Sequence, residues 1–368
     1  MNRSEQLKKH DVFLLLLGII ALLMSNLCVA QNSNETWEKR WTEEQANEWY
    51  SHQPWMAGCN YIPASAINQI EMWQASTFDA KQIDKELNWA EGLGFNTMRV
   101  FLSSVVWNHD AKGFKKRIDK FLTISSRHHI RPLFVFFDDC WNAESAYGKQ
   151  PDPKIGVHNS GWLQDPSCSL RSDTVTLYRN LESYVKDILT TFKNDRRILM
   201  WDLYNEPGNT NHGDNSLPLL RKVFEWAFQV RPSQPITSGA WNGDNNISRF
   251  QLSHSDIISY HNYSDEKGHA ADIAKFERYH RPLVCTEYMA RTNGSRFSNI
   301  MPLLKEHRIV AINWGFVKGK TNTIYAWGTP IPSGEEPKIW FHDIYRQDGT
   351  PFSEDEITFI RSMMKDNQ

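Results

Sequence analysis

Residues 198–207 read Ile-Leu-Met-Trp-Asp-Leu-Tyr-Asn-Glu-Pro, a mostly apolar run that ends in an amide, a carboxylate and a proline. Nearly continuous apolar runs of this length are typical of parallel strands that are covered on both faces. Seven other stretches share this character, so the sequence predicts eight strands. The predicted strands are Met56–Ile62, Asn96–Leu102, Pro132–Asp138, Ile198–Tyr204, Pro235–Ala240, Ile257–Tyr263, Pro282–Tyr288 and Val310–Val317.

Stretches with the spacing of amphipathic helices lie between these strands. Ile83, Leu87, Ala90 and Leu93 would share one face of a helix, and several later stretches repeat this spacing. Eight strands that alternate with helices predict a single (β/α)8 TIM barrel. An open doubly wound sheet is the main alternative, but it usually carries a Gly-rich phosphate-binding turn, and no G-x-G-x-x-G follows the first strand.

The composition narrows the class of function. The chain has 368 residues and a formal net charge of −2, which argues against a nucleic-acid partner because phosphate binding requires a basic surface. Its 15 tryptophans are typical of proteins that hold sugars or other flat ligands. Residues 11–27 hold the only long apolar run, which excludes a protein with several membrane spans.

The amino terminus has the order of a secretory signal. Lys8 and Lys9 precede the leucine-rich stretch Val12–Met24, and small residues at Cys28 and Ala30 follow it. We expect cleavage after Ala30, a secreted or periplasmic location and no stable membrane insertion afterwards. A membrane anchor and lipid attachment at Cys28 are alternatives, the second disfavoured by Leu27. The predicted division is a signal peptide over 1–30, a lead-in over 31–54 and a catalytic domain over 55–368.

Four cysteines lie beyond the predicted signal, and their spacing matches no zinc pattern. Cys59 and Cys285 lie within apolar runs, which favours a place in the core. A disulfide between Cys140 and Cys168 stays open. The sequence predicts neither a metal nor a cofactor.

Polar and aromatic residues follow the predicted strands at the end where a barrel carries its active site. We therefore expect them to converge on one cleft. They are Asn60, Arg99, Asp138 with Asp139, Asn205 with Glu206, Trp241 with Asn242, His261 with Tyr263, Glu287 and Trp314.

Two of these residues are carboxylates that end the fourth and seventh strands, Glu206 and Glu287. Cleavage of a glycosidic bond requires a protonated acid at the leaving oxygen and an ionised carboxylate facing the anomeric carbon. The hypothesis is that Glu206 is the acid/base and Glu287 the nucleophile.

The sequence resembles a known family at these positions. Residues 201–207, Trp-Asp-Leu-Tyr-Asn-Glu-Pro, look like the Asn-Glu-Pro signature of clan A glycoside hydrolases, and Thr286-Glu287-Tyr288 looks like their nucleophile strand. The run from Met56 to about Asp366 is similar to glycoside hydrolase family 5, the cellulase-like family, or a close relative. This resemblance implies a secreted, retaining β-glycosidase that hydrolyses a β-linked poly- or oligosaccharide by double displacement.

The resemblance also implies roles for the neighbouring residues. Asn205 matches the residue that bonds the sugar 2-hydroxyl, and Arg99 matches the arginine beside the nucleophile. His261 and Tyr263 match the sixth-strand pair, Tyr263 as a donor to the nucleophile, and Trp314 matches the platform under the reacting sugar. Because Arg99 and Tyr263 would stabilise charge on the nucleophile, we expect the shared proton on Glu206.

One departure from the family concerns the third strand, which ends in Asp138 and Asp139 where relatives commonly carry a histidine. These carboxylates would accept hydrogen bonds from sugar hydroxyls or serve as loop caps. For Asn60, too, a role in the site and a purely structural role stay equally open. The long connections 139–171 and 318–352 are expected to be functional. Their aromatic residues would form sugar-binding walls, pack in the core or anchor the loops, namely Trp141, Tyr147, Trp162, Trp327 and Trp340.

Three other functions compete with metal-free glycoside hydrolysis. A transglycosylase would share every residue and differ in acceptor access. A carbohydrate-binding barrel without catalysis would not need both glutamates. A metal-dependent barrel hydrolase would place several His and Asp residues at strand ends, where only His261 and the Asp138–Asp139 pair are available.

Overall fold

The computed structural model describes residues 39–365. The predicted signal peptide and the first part of the lead-in, up to residue 38, lie outside this range. The residues from Trp41 onward form one compact unit. Among residues 39–365, no helix combines the length and the apolar character that a membrane span requires.

Eight parallel strands form the centre of this unit, as the sequence predicts. Each strand pairs with its neighbour in the order β5-β4-β3-β2-β1-β8-β7-β6. A parallel bridge between Ala240 and Tyr260 links the two ends of this order and closes the ring. The strands are β1 Ala57–Asn60, β2 Thr97–Phe101, β3 Arg131–Asp138, β4 Met200–Asn205, β5 Ile236–Thr237, β6 Ile258–His261, β7 Leu283–Tyr288 and β8 Val310–Asn313. The fold is a single (β/α)8 TIM barrel.

Helices connect the strands and cover the outside of the ring. Ile83, Leu87, Ala90 and Leu93 are buried on one helix, as their spacing predicts. That helix ends at Gly94, which adopts φ 84°, a left-handed conformation that glycine reaches without steric cost. The described helices are Glu43–Ser51, Gln69–Trp73, Ala80–Leu93, Ser104–Arg127, Thr174–Phe192, Leu217–Val230, Asn246–His254, Glu266–Phe276, Phe297–Glu306 and Glu354–Met364.

The two ends of the barrel differ in chemistry. An apolar cluster that includes Met56, Leu133, Met200 and Val284 fills the end where the strands begin. Tyr50, from the helix Glu43–Ser51, belongs to the same cluster, so this part of the lead-in packs under the barrel. Polar residues are therefore left to the opposite end, where the strands finish.

Most strands are shorter than predicted, and the fifth and eighth differ most. The fifth covers Ile236–Thr237 rather than Pro235–Ala240, because the chain leaves the ladder and pairs again only at Ala240. The eighth ends at Asn313 rather than Val317, and Gly315 then turns the chain at φ 79°. Both differences lie at the rim, where loop geometry overrides strand propensity.

Gly58 lies where β1 approaches β2 too closely for a side chain. A Cβ at Gly58 would lie 1.8 Å from the carbonyl oxygen of Thr97, whereas a Cβ on the helical Gly92 would meet nothing within 4 Å. We expect Gly58→Ala to lower the free energy of unfolding by about 1–3 kcal/mol or more through overpacking. Gly92→Ala, the matched control, is expected to raise it by about 0.5–1 kcal/mol. Urea denaturation measures both, and equal effects would contradict this packing.

Candidate active site

A cavity of about 700 Å³ opens at the carboxyl ends of the strands. Its size is that of a pocket for a small ligand of one to a few rings. Most of the predicted site residues border it, together with residues of the long loops. The lining residues are Asp138, Cys140, Trp141, Asn142, His158, Asn159, Trp162, Asn205, Glu206, Asn209, Thr210, Trp241, His261, Tyr263, Glu287, Trp314 and Trp327.

Arg99 lies fully buried beneath the cavity. Its Nη1 donates to Glu287 Oε1 at 2.7 Å and to Asn60 Oδ1 at 2.9 Å. Its Nη2 donates to Asn205 Oδ1 at 2.7 Å and to Asp202 Oδ2 at 2.8 Å. The guanidinium thus holds the side chains of Asn60, Asn205 and Glu287 in place, and Asp202 supplies the opposite charge that balances it.

Glu287 is the last residue but one of β7, and its carboxyl accepts two strong hydrogen bonds. Besides Arg99, the Tyr263 hydroxyl donates to its Oε2 at 2.7 Å. Burial raises the pKa of Glu287, and the charge of Glu206 adds to the rise, while His261 and Arg99 oppose it. The carboxyl of Glu287 is therefore oriented by Arg99 and Tyr263 and is shielded from solvent.

Glu206 follows β4 with φ 43°, a left-handed conformation that non-glycine residues rarely adopt. His261 Nδ1 lies 2.7 Å from Oε1, and Asn209 Nδ2 and the Cys140 thiol donate to Oε2 at 2.5 Å and 3.2 Å. Burial alone would raise the pKa of Glu206, but the hydrogen bonds from these three side chains hold it below its usual value.

These pKa directions are opposite to the expectation that the shared proton lies on Glu206. His261 Nδ1 is 2.7 Å from Glu206 but 3.5 Å from Glu287. The nearest ring nitrogen therefore stabilises charge on Glu206 more than on Glu287. The sequence could not show which carboxyl the imidazole meets.

Asp138 orients Asn205. Its Oδ1 accepts from Asn205 Nδ2 at 2.9 Å, and its Oδ2 accepts from Trp162 Nε1 at 2.7 Å. Burial raises the pKa of Asp138 to about 7. With its amide oxygen on Arg99 and its amide nitrogen on Asp138, the Asn205 side chain is held in one orientation.

Asp139 and Asn60 lie behind the cavity rather than on its wall. Asp139 is fully buried and accepts from Tyr204 Oη and Gly208 N, both at 2.7 Å, so it fixes the loop that follows Glu206. Asn60 donates from Nδ2 to the Thr286 carbonyl at 2.8 Å while its oxygen receives Arg99. Neither side chain lies on the cavity wall, so Asp139 acts by positioning the loop after Glu206 and Asn60 by positioning Arg99.

The aromatic residues divide into two groups. Trp314, Trp162, Trp141 and Trp327 line the cavity, and Trp162 lies 5.6 Å from Trp314, centroid to centroid, in an edge-on arrangement. Tyr147 instead stacks on His109, and Trp340 is fully buried and stacks on Phe352. The packing interpretation therefore holds for these last two.

Sequence reasoning did not single out several residues of the site. Asp202 interrupts an otherwise apolar strand, and that buried charge was the available signal for a cationic partner. Cys140, Asn209 and His158 lie on loops, where sequence patterns carry little information about direction.

One group of side chains could also hold a metal ion. Within the described residues 39–365, ligand atoms of Glu206, His261 and Glu287 lie within 4.8 Å of one another. The guanidinium of Arg99 contacts one of these ligands at 2.7 Å, and this charge disfavours a divalent cation at the same place.

The cysteines give a test of the site's packing. All four described cysteines are free, which leaves Cys140 and Cys168 without the disulfide that the sequence allowed. Burial raises the pKa of the Cys140 thiol well above its usual value, and the charges of Asp138 and Glu206 raise it further.

At pH 8 we expect iodoacetamide to alkylate the half-buried Cys168 and to leave Cys59, Cys140 and Cys285 unlabelled until the protein unfolds. Peptide mapping measures this, and Cys140 labelling as fast as Cys168 would contradict it.

No protein-family model and no curated protein matches this sequence. Solved structures do match its fold. GH5_18 from Streptomyces cattleya, solved with GlcNAc, is 11% identical with a TM-score of 0.57, and the match covers 86% of this chain and 80% of that one. An exo-β-1,4-mannosidase from Opitutaceae bacterium strain TAV5 is 20% identical with a TM-score of 0.57, over 85% of this chain and 60% of that one. An endo-1,4-β-mannanase from Rhizomucor miehei is 14% identical with a TM-score of 0.54, over 85% and 95%. The chain therefore has the fold found in structures of glycoside hydrolase family 5.

Proposed function

We propose that this protein is a retaining glycoside hydrolase that cleaves a β-linked glycan, with Glu287 as nucleophile and Glu206 as acid/base. The observation that carries this proposal is the placement of two carboxyls, with oxygens within 4.8 Å of each other, in one tryptophan-lined cavity. Retaining glycosidases hold their carboxyls about 5–5.5 Å apart, whereas inverting enzymes need room for a water at about 6.5–9.5 Å. The short separation supports double displacement.

In the first step, a Glu287 oxygen bonds to the anomeric carbon while the bond from that carbon to the leaving oxygen breaks. Glu206 gives a proton to the leaving oxygen. In the second step, water attacks the anomeric carbon, Glu206 takes a proton from that water, and the bond to Glu287 breaks. Hydrogen bonds from Arg99 and Tyr263, each 2.7 Å long, stabilise the carboxylate that attacks and later leaves.

His261 supports the proton transfers of Glu206. We propose that the proton that the leaving oxygen needs reaches Glu206 Oε1 from His261 Nδ1, which lies 2.7 Å away. A sugar that fills the cavity removes water from Glu206, and desolvation favours the protonated carboxyl. Substrate binding thus moves that proton toward the residue that must donate it.

The neighbouring folds suggest the sugar to test first. Two of the similar structures are described as a β-1,4-mannosidase and a β-1,4-mannanase. We therefore propose a β-mannoside as the first substrate. Asn205, held between Arg99 and Asp138, would contact the sugar 2-hydroxyl, and Trp314 would lie against the sugar ring.

Removal of either carboxylate tests the assignment. We expect Glu287→Gln and Glu206→Gln to lower kcat on a natural β-glycan on the order of 10³-fold or more, since each removes a group that acts in the transition state. Glu182→Gln, on the helix Thr174–Phe192 and outside the cavity, is the matched control and should keep wild-type activity. Azide should partly restore Glu287→Gly and give a glycosyl azide of inverted configuration, which NMR detects. Wild-type turnover in either Gln variant would end the assignment, and loss of wild-type activity in EDTA would favour the metal alternative.

Cys140 tests the electrostatics of the acid/base. Its thiol donates to Glu206 and lowers the pKa of that carboxyl, so Cys140→Ala should raise this pKa. An acid works only while protonated, and a higher pKa therefore moves the alkaline limb of the kcat/KM–pH profile to higher pH. Cys168→Ala, remote from Glu206, should leave the limb in place. An alkaline limb that stays at the wild-type pH or moves to lower pH in Cys140→Ala would contradict the hydrogen bond from Cys140 to Glu206.

A further inference from the structure

Two long loops meet over one side of the cavity. The third loop, residues 139–173, follows β3, and the eighth loop, residues 314–353, follows β8. Their backbones bond to each other, with Asn159 N donating to the Thr321 carbonyl at 2.8 Å and Ile331 N donating to the Gly156 carbonyl at 3.0 Å. A Cβ at Gly156 would lie 1.8 Å from the Ile331 carbonyl oxygen, so the approach depends on glycine. We call these joined loops the loop wall.

His158 and Trp327 join the two loops where the loop wall faces the cavity. His158 Nδ1 bonds to the Tyr325 carbonyl at 2.8 Å, and Trp327 Nε1 donates to His158 Nε2 at 3.2 Å. Burial lowers the pKa of His158 to about 4, which keeps the ring neutral at neutral pH. A neutral imidazole has one donor and one acceptor, and this arrangement uses both across the two loops.

The loop wall lies on the nucleophile's side of the cavity. The Trp327 ring packs edge-on against Tyr263 at 4.7 Å between centroids, and Tyr263 donates to Glu287. On the other side, Glu206 lies beside the half-buried Asn209 and the exposed Thr210, and Cys140, at the start of the third loop, contacts it at 3.2 Å. A second, more open depression borders Trp241, His261 and Tyr263, and His261 lies 2.7 Å from Glu206. The cavity is therefore closed at Trp327 and opens toward Trp241 and His261.

Chemistry assigns these sides to the two parts of the substrate. The acid protonates the leaving oxygen, so the leaving group lies beside Glu206, on the open side. The sugar attacked by Glu287 is the non-reducing part, and it lies toward the loop wall. We propose that the loop wall limits the length of that part, so the enzyme releases a glycone of fixed length from the non-reducing end of its substrate. This inference rests on the proposed hydrolase function.

The products of a defined oligosaccharide test the inference. The substrates for this test are β-1,4-mannohexaose reduced with borohydride and a panel of aryl β-glycosides. The panel includes, for each aryl glycoside, a reduced oligosaccharide of the same sugar. At early times the wild type should release one glycone of a single length and a correspondingly shortened alditol, as measured by mass spectrometry. Early products of several lengths would overturn the loop wall while leaving hydrolysis intact. Cleavage of no glycoside by the folded protein would overturn the proposed function and this inference with it.

Two variants open the loop wall by different means. Trp327→Ala removes the ring, and Gly156→Ala forces the two loops apart without placing a side chain in the cavity. Each should raise the ratio of internal to terminal cleavage at least about tenfold, since the sites beyond the wall become accessible. Gly148→Ala is the matched control, since Gly148 lies in the same loop with positive φ but a Cβ there would meet nothing within 4 Å. Folded Trp327→Ala and Gly156→Ala proteins that both keep the wild-type ratio would overturn the inference.

Discussion

The buried guanidinium of Arg99 is the interaction on which the site depends. Its five N–H groups make five hydrogen bonds, to Asn60, Asp202, Asn205 and Glu287. Removing a charged group from water costs several kcal/mol, and this cost is offset only when every donor is satisfied and opposite charges lie close. The four partners come from β1, β4 and β7, so the same bonds that satisfy the charge also hold three strand ends in one arrangement.

The site's electrostatics follow from that arrangement. Asp202 balances Arg99 from below, and the carboxyl of Glu287 accepts from the same guanidinium at the floor of the cavity. Glu206 and His261 lie beside it, with Nδ1 of His261 2.7 Å from Oε1 of Glu206. The strained φ of Glu206 lies one residue beyond a regular strand, where the rigid barrel holds a backbone conformation that a flexible loop would relax.

Much of this could be predicted from the sequence, for physical reasons. Parallel strands buried on both faces must be apolar, and a barrel gathers their ends, so the positions of Glu206, Glu287, Arg99 and Tyr263 along the chain were enough to assign them to one cleft. The partner of a buried charge could not be assigned from the sequence, because nothing around Asp202 indicates that its cationic partner, Arg99, lies on β2. The loop wall was equally hidden, since the contacts of His158 with Tyr325 and Trp327 join segments about 170 residues apart by irregular backbone.

The central claim is that the carboxylate held by Arg99 attacks the anomeric carbon. A 2,4-dinitrophenyl 2-deoxy-2-fluoro-β-mannoside, or the fluoro sugar matching the aryl glycoside that is cleaved, slows the second step and traps the glycosyl-enzyme. Mass spectrometry of the peptic digest should find the fluoro sugar on the peptide that contains Glu287, with stoichiometric loss of activity. A label on Glu206, or inverted product without any label, would contradict the account.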